Sequence, residues 1–182
     1  MRPNAIAMTP PRWVAALLTT LLLVGSWTIV ASSPAQAATA AASPDCQVVL
    51  DRLHPGEHES RVLLKQCARP GERLAAPTLT SATVLIMTWY EHIRYGGAST
   101  RIYGVYGPCD SAGYGIHQFD SFWNDRVSSF KVWNNCNYTR GYLNKDYGGT
   151  PCGRWYGSVD WVGWTFNDKL SSFWVASVSR GC

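Results

Sequence analysis

A six-residue pattern that occurs twice constrains the fold of this chain more than any other feature. The sequence NDRVSS spans residues 124–129, and NDKLSS spans residues 167–172, 43 positions later. A phenylalanine follows each copy directly, Phe130 in the first case and Phe173 in the second. Two copies in one chain indicate an internal duplication.

A second duplicated pattern supports this interpretation. Residues 89–97 and 141–149 share a tyrosine, four intervening residues and then Tyr-Gly-Gly, with the tyrosines offset by 52 positions. A Tyr-Gly pair at residues 103–104 recurs at residues 156–157, offset by 53. The two units therefore stay in register until the first gains about ten residues, which we place within residues 107–115.

The hexapeptide offers a carboxylate, an amide oxygen and two hydroxyls. These hard oxygen donors are the ligands that Ca²⁺ prefers, whereas zinc and copper favour nitrogen and sulfur. The alternative is that the same side chains only bond their own backbone, as in an Asx or Ser turn ahead of a strand. Duplication favours the metal site, because two adjacent loops can share donors.

Together the two patterns resemble the βγ-crystallin family. Its Greek-key motif has an aromatic corner followed by Asn/Asp-Asn/Asp-x-x-Ser/Thr-Ser in the calcium-binding members. The corner positions match at Tyr90, Tyr95, Gly97, Tyr142, Tyr147 and Gly149, and both hexapeptides match fully. The resemblance covers residues 83–176 and implies two Greek-key motifs, 83–133 and 134–176, within a domain at 83–182.

The resemblance also implies a ligand set in which the two loops exchange donors around two calcium ions. By position, the donors would be Asn124, Asp125, the carbonyl of Arg126 and Ser128 in the first loop, and Asn167, Asp168, the carbonyl of Lys169 and Ser171 in the second. Ser129 and Ser172 match the serine that is structural in the family. Because each loop has one carboxylate beside a positive residue, we expect affinity in roughly the micromolar range or weaker.

The first 37 residues have the features of a secretory signal peptide. Arg2 and Arg12 precede an apolar run over residues 13–31, and Ala-Gln-Ala at 35–37 forms a small-residue cleavage site. An uncleaved membrane anchor is the alternative. Cleavage would lower the formal charge from +4 to +2, so the mature chain is expected to be secreted, with no nucleic-acid partner and no stable membrane insertion.

All six cysteines follow residue 37, and an even number in an exported chain predicts disulfides. Fifteen pairings are open; we predict Cys46–Cys67, Cys109–Cys136 and Cys152–Cys182. Residues 38–82 are predicted to hold a flexible tether and a small covering segment, with two short helices closed by the first disulfide.

Short β-branched and aromatic runs predict strands throughout the rest of the chain. The predicted strands lie at residues 83–90, 100–106, 128–133, 141–144, 154–156 and 171–175. These strands, with many glycines and no helical period, predict an all-β fold, an antiparallel β-sandwich of two Greek keys.

The aromatic residues allow two interpretations. Trp155, Trp161 and Trp164 cluster in the second unit and could stack on sugar rings, which would make a cell-wall glycan the partner. We favour core and corner packing for most aromatics. We expect no enzymatic activity, because the four histidines are scattered and no Gly-x-Ser-x-Gly, His-Glu-x-x-His or Walker motif occurs.

A partner-binding role is the main alternative to calcium binding. Some exported bacterial proteins similar to this fold are metalloproteinase inhibitors and others are toxin-like, and residues 107–115 would then form the inhibitory loop. That alternative rests on analogy between folds. We expect a monomer whose partner, if it has one, is an extracellular protease or a glycan.

Overall fold

The computed structural model describes residues 45–69 and 71–182, so the predicted signal peptide and the tether at 38–44 lie outside the described residues. No helix in the described part is long and apolar enough to cross a membrane. Its regular elements are β1 (Asp45–Leu50), β2 (Val62–Cys67), β3 (Val84–His92), the 3-10 helix η1 (Ile93–Tyr95), β4 (Gly96–Gly104), β5 (Tyr114–Ile116), β6 (Ser129–Val132), β7 (Tyr138–Tyr142), β8 (Gly153–Tyr156) and β9 (Ser172–Ala176).

The strands form two sheets, with the orders β2-β1-β4-β3-β6 and β5-β9-β7-β8. The predicted all-β architecture of two sheets is therefore confirmed. Each repeat also gives one segment to the other repeat's sheet. From the first repeat, β5 pairs with β9, and from the second, Val159 exchanges two 2.9 Å backbone hydrogen bonds with Phe130 of β6.

The core lies between the sheets and is rich in aromatic side chains. Phe130 and Phe173, the residues that follow the hexapeptides, are both buried, with ring centroids 5.4 Å apart. Val127 and Leu170, at the fourth hexapeptide position, are fully buried as well. Each hexapeptide is thus anchored by an apolar side chain in its middle and an aromatic ring at its end, which fixes the polar positions between them.

The predicted N-terminal helices are wrong, since residues 45–67 form two strands. β1 runs parallel to β4 and antiparallel to β2, with Cys46 opposite Cys67. The apolar run of β1 includes Val49 and Leu50, which are fully buried although adjacent in sequence. A strand covered on both faces loses the alternating pattern, so such a short run resembles a buried helix segment.

All three predicted disulfides are present, Cys46–Cys67, Cys109–Cys136 and Cys152–Cys182. The inserted segment ends in β5, a strand that the sequence patterns did not reveal. Three residues are too few for a visible alternation, and two of them, Tyr114 and Gly115, are buried.

Candidate functional site

The two hexapeptides adopt matching turns. The N–H of Asn124 donates to the Asp120 carbonyl and that of Asn167 to the Gly163 carbonyl, both at 2.9 Å. The next residue is left-handed in each copy, with φ of 59° at Asp125 and 54° at Asp168. Aspartate tolerates this conformation better than bulky residues, which accounts for the residue type at both positions.

The last serine of each hexapeptide fastens the tyrosine corner of its own repeat. The Ser129 hydroxyl donates to the His92 carbonyl at 2.6 Å and accepts from the Tyr95 N–H at 3.1 Å. Ser172 does the same with the Asn144 carbonyl and the Tyr147 N–H, at 2.7 and 3.2 Å. These contacts agree with the structural role that the family resemblance implies for the two serines.

The preceding serine of the first loop reaches across to the second loop. The Ser128 hydroxyl lies 2.7 Å from the Glu91 carbonyl oxygen and 2.9 Å from Oδ1 of Asp168. A hydroxyl carries one proton, so it can donate fully to only one of these two acceptors. We call these three oxygens the first half-site.

The second half-site is the counterpart built from the other loop. The Ser171 hydroxyl lies 3.0 Å from the Leu143 carbonyl oxygen and 3.4 Å from Oδ1 of Asp125. Each half-site thus joins a serine of one loop, the aspartate of the other loop and a main-chain carbonyl from a tyrosine corner. The two loops therefore contact each other through matching Ser–Asp pairs, while the exchange of calcium ligands that the family resemblance implies stays a prediction.

The asparagines orient the aspartates. Nδ2 of Asn124 donates to Oδ2 of Asp125, and Nδ2 of Asn167 donates to Oδ2 of Asp168, both at 2.7 Å. The amide oxygens of both asparagines are buried and have no hydrogen-bond partner among the described residues. A buried acceptor without a donor is costly, and a bound cation would satisfy it.

The charge of Arg126 is balanced beside the first half-site. Its guanidinium lies 3.1 Å from the Glu91 carboxylate and 4.9 Å from the centre of the Phe122 ring. The Arg126 and Lys169 N–H groups donate to the Trp123 and Phe166 carbonyls, at 3.2 and 3.1 Å. These bonds hold matching peptide orientations, while the ligand role of the Arg126 and Lys169 carbonyls stays a prediction.

Sequence reasoning missed the carbonyls of Glu91 and Leu143. Main-chain atoms carry no residue-type signal, but the positions are equivalent, since each directly follows the first tyrosine of its corner. Within residues 45–69 and 71–182, no three His, Cys, Asp or Glu side chains form a metal-binding group. The half-sites are instead mixed oxygen clusters with one carboxylate each.

The other candidate segments supply none of the oxygens that define the two half-sites. Trp155 packs into the core 5.5 Å from the Phe130 ring, while Trp161 and Trp164 are exposed. Within the inserted segment, the Asp110 carboxylate accepts from the N–H groups of Ala112 and Gly113. The Trp174 indole of β9 donates to the Ala112 carbonyl at 3.1 Å and so holds the segment against the second sheet. The inhibitory role of this loop stays a prediction.

Solved structures resemble about half of the chain. A βγ-crystallin domain from Clostridium beijerinckii is 28% identical, with 51% of this chain and 99% of that chain covered and a TM-score of 0.39. A βγ-crystallin domain from Flavobacterium johnsoniae is 23% identical, with 52% of this chain and 99% of that chain covered and a TM-score of 0.36. A βγ-crystallin from an archaeon is 24% identical, with 50% of this chain and 96% of that chain covered and a TM-score of 0.36. No protein-family model and no curated protein matches the chain. The solved structures belong to the family that the sequence motifs indicate.

Proposed function

We propose that this protein is a secreted calcium-binding βγ-crystallin-like domain, in which two ions stabilise the fold through the crossed half-sites. The observation that carries the proposal is the convergence of a hydroxyl, a carboxylate and a carbonyl oxygen with a single proton among them. A site with more acceptors than protons attracts a cation. The same arrangement occurs in both loops.

The donor chemistry fits calcium better than other metals. Calcium takes six to eight oxygen ligands, including carboxylates, carbonyls, amides and water. Each half-site supplies three oxygens, and the buried amide oxygens of Asn124 and Asn167 have no hydrogen-bond partner in the part of the chain that the structure describes. The Arg126 and Lys169 carbonyls and water would complete the shell. Nitrogen or sulfur ligands, which zinc and copper prefer, are not among these donors.

The expected affinity is modest. One carboxylate per ion gives less electrostatic attraction than the multi-carboxylate loops that bind calcium at nanomolar concentration. We therefore expect dissociation constants on the order of micromolar or weaker, a range suited to an extracellular module. Binding to the folded state alone raises stability with calcium concentration.

Calorimetric titration of the oxidised residues 38–182, combined with thermal melts, tests the proposal. We expect about two ions per chain and a melting temperature that rises with calcium. D125A/D168A should lose both effects, because it removes the carboxylate from each half-site. The exposed Glu72, whose carboxylate accepts from the Arg69 N–H, offers a control, E72A, that should behave as wild type. No saturable binding at millimolar calcium would overturn the proposal.

Export is proposed from the N-terminal sequence and agrees with the three disulfides, which form in oxidising compartments. Expression in a secreting bacterial host followed by N-terminal sequencing of the protein in the medium tests it. A mature start at Ala38 is expected. Recovery of the uncut chain in the membrane fraction would instead favour the membrane anchor.

A further inference from the structure

Two tryptophans in the second repeat are exposed and lie outside the hydrophobic core of the described residues. Trp164 is 85% exposed and Trp161 is 38% exposed, and their rings meet edge to face, 5.0 Å apart and 89° between planes. Gly163 between them has φ of 89°, a left-handed value that favours glycine. We call this feature the tryptophan pair.

The duplication provides an internal control for these positions. Shifting by the 43 residues that separate the hexapeptides aligns Trp161 with Gln118 and Trp164 with Ser121, both exposed. The register is correct, because Val162 and its counterpart Phe119 are both buried and donate to equivalent carbonyls, at 3.0 and 2.9 Å. The fold therefore accepts small or polar residues where the second repeat has indoles.

The polar surroundings select the class of ligand. Residues 157–165, GSVDWVGWT, contain one carboxylate and no lysine or arginine. Asp160, next to the tryptophan pair, is exposed, and so is the oppositely charged Arg94, whose N–H donates to the Asp160 carbonyl at 2.7 Å. The formal charges at this surface therefore balance, which favours an uncharged ligand over nucleic acids and anionic lipid surfaces. A carboxylate accepts hydrogen bonds from hydroxyl groups, and an open indole face packs against the C–H groups of a pyranose ring.

We propose that the tryptophan pair is a binding site for neutral polysaccharide, with the Trp164 face as the stacking surface and Asp160 as a hydroxyl acceptor. The indole rings and Asp160 are not among the candidate calcium ligands, so the proposal does not require a bound ion. The pair has a rigid base nonetheless, since the Val162 N–H donates to the Ser128 carbonyl and the Asn167 N–H to the Gly163 carbonyl. A pre-ordered aromatic site loses little conformational entropy on binding.

The test is affinity electrophoresis in gels with hydroxyethyl cellulose, glycol chitin or soluble β-1,3-glucan. Wild type should be retarded in at least one gel. W161Q/W164S, which installs the residues of the first repeat, should fold with an unchanged melting temperature and lose at least tenfold in affinity. Y156A removes another exposed aromatic, 70% exposed on β8, and should be retarded as wild type is.

Three results would overturn the proposal. The first is wild type that migrates freely in all three gels. The second is W161Q/W164S that is retarded as strongly as wild type. The third is wild type that binds phosphatidylserine vesicles through the tryptophan pair and none of the glycans, which would assign the surface to membranes.

Discussion

Ser128 and Ser129 are adjacent and both buried, yet their hydroxyls have different tasks. Ser129 is satisfied within its own repeat, between a carbonyl and an N–H of the tyrosine corner. Ser128 faces two acceptors, one of them Asp168 of the other repeat. One position maintains the fold and the other contributes to the candidate metal site.

We predict that S129A and S128A separate these tasks. S129A leaves the Tyr95 N–H without its acceptor and should cost roughly 1–3 kcal/mol of unfolding free energy with or without calcium. In the presence of chelator, S128A should lower the unfolding free energy less than S129A does. It should also lose most of the increase in unfolding free energy that calcium gives to wild type. Denaturant unfolding in calcium and in EGTA measures both. Equal calcium gains in the two variants would contradict the assignment.

Asp120 is a residue with a predictable pH effect. Partial burial raises the pKa of its carboxyl, but the Lys65 ammonium and the N–H groups of Trp123 and Phe122 outweigh burial and hold the pKa below its ordinary value. Because the native pKa is lowered, Asp120 takes up its proton at a higher pH in the unfolded chain than in the folded protein. The stabilisation is therefore complete above the unfolded pKa and is lost as the pH falls through the native one.

D120N should consequently be less stable than wild type at pH 7. The difference in unfolding free energy should begin to narrow as the pH falls below about 4 and should close only below the lowered native pKa, where both proteins carry a neutral side chain at this position. Urea unfolding at a series of pH values measures the difference. A gap that stays constant down to pH 2 would show that the charge of Asp120 contributes nothing.

At the scale of elements, the strand β3 was predictable from the sequence and the N-terminal strands β1 and β2 were not. The run at 83–90 was predicted as a strand and forms β3, because its β-branched and aromatic residues leave little ambiguity. The N-terminal strands β1 and β2 were mistaken for helices. β1 depends on its pairing with β4, which lies about 50 residues away in sequence and leaves no local signal, and β2 depends in turn on its pairing with β1.

The Cys46–Cys67 disulfide fastens β2, an outer strand that pairs only with β1. C46S/C67S should lose about 3 kcal/mol, as expected for a loop of this length. Hydrogen exchange should show faster exchange in β2 and retained protection in β4. The variant C152S/C182S, which lacks the disulfide to the C-terminal residue, should leave β2 protected. Equal protection of β2 with and without its disulfide would refute this.

For the whole molecule, the exchanged segments make the two repeats interdependent. The sheet of the second repeat contains β5 of the first, and β6 of the first is bridged by Val159 of the second. Neither repeat can unfold while leaving the other with a complete sheet. Local stability is therefore expected to be shared across the sandwich.

We predict one cooperative unfolding transition. Far-ultraviolet circular dichroism and tryptophan fluorescence should give coincident melting curves in EGTA, and calcium should shift both together. The mature chain contains seven tryptophans, in both repeats, so fluorescence reports on each. Two separated transitions would contradict the interdependence.

The side chains of the candidate site could be proposed from the sequence because the hexapeptide that carries them occurs twice, at 124–129 and 167–172. The structure brings Ser128 to Asp168 and Ser171 to Asp125, while their role as calcium ligands stays a prediction. The carbonyls of Glu91 and Leu143 were not identified, since any residue supplies a carbonyl. The exposure of the tryptophan pair also required the structure, because composition alone does not distinguish a surface indole from a core one.

The crossed half-sites imply a history for the gene. A single repeat carries a serine and an aspartate but cannot bring them to the same ion, because each needs its counterpart from another copy. Before duplication, the same site would have required two identical chains related by a twofold axis, with metal binding dependent on protein concentration. Fusing the copies made that encounter intramolecular, so the proposed metal site no longer depends on protein concentration.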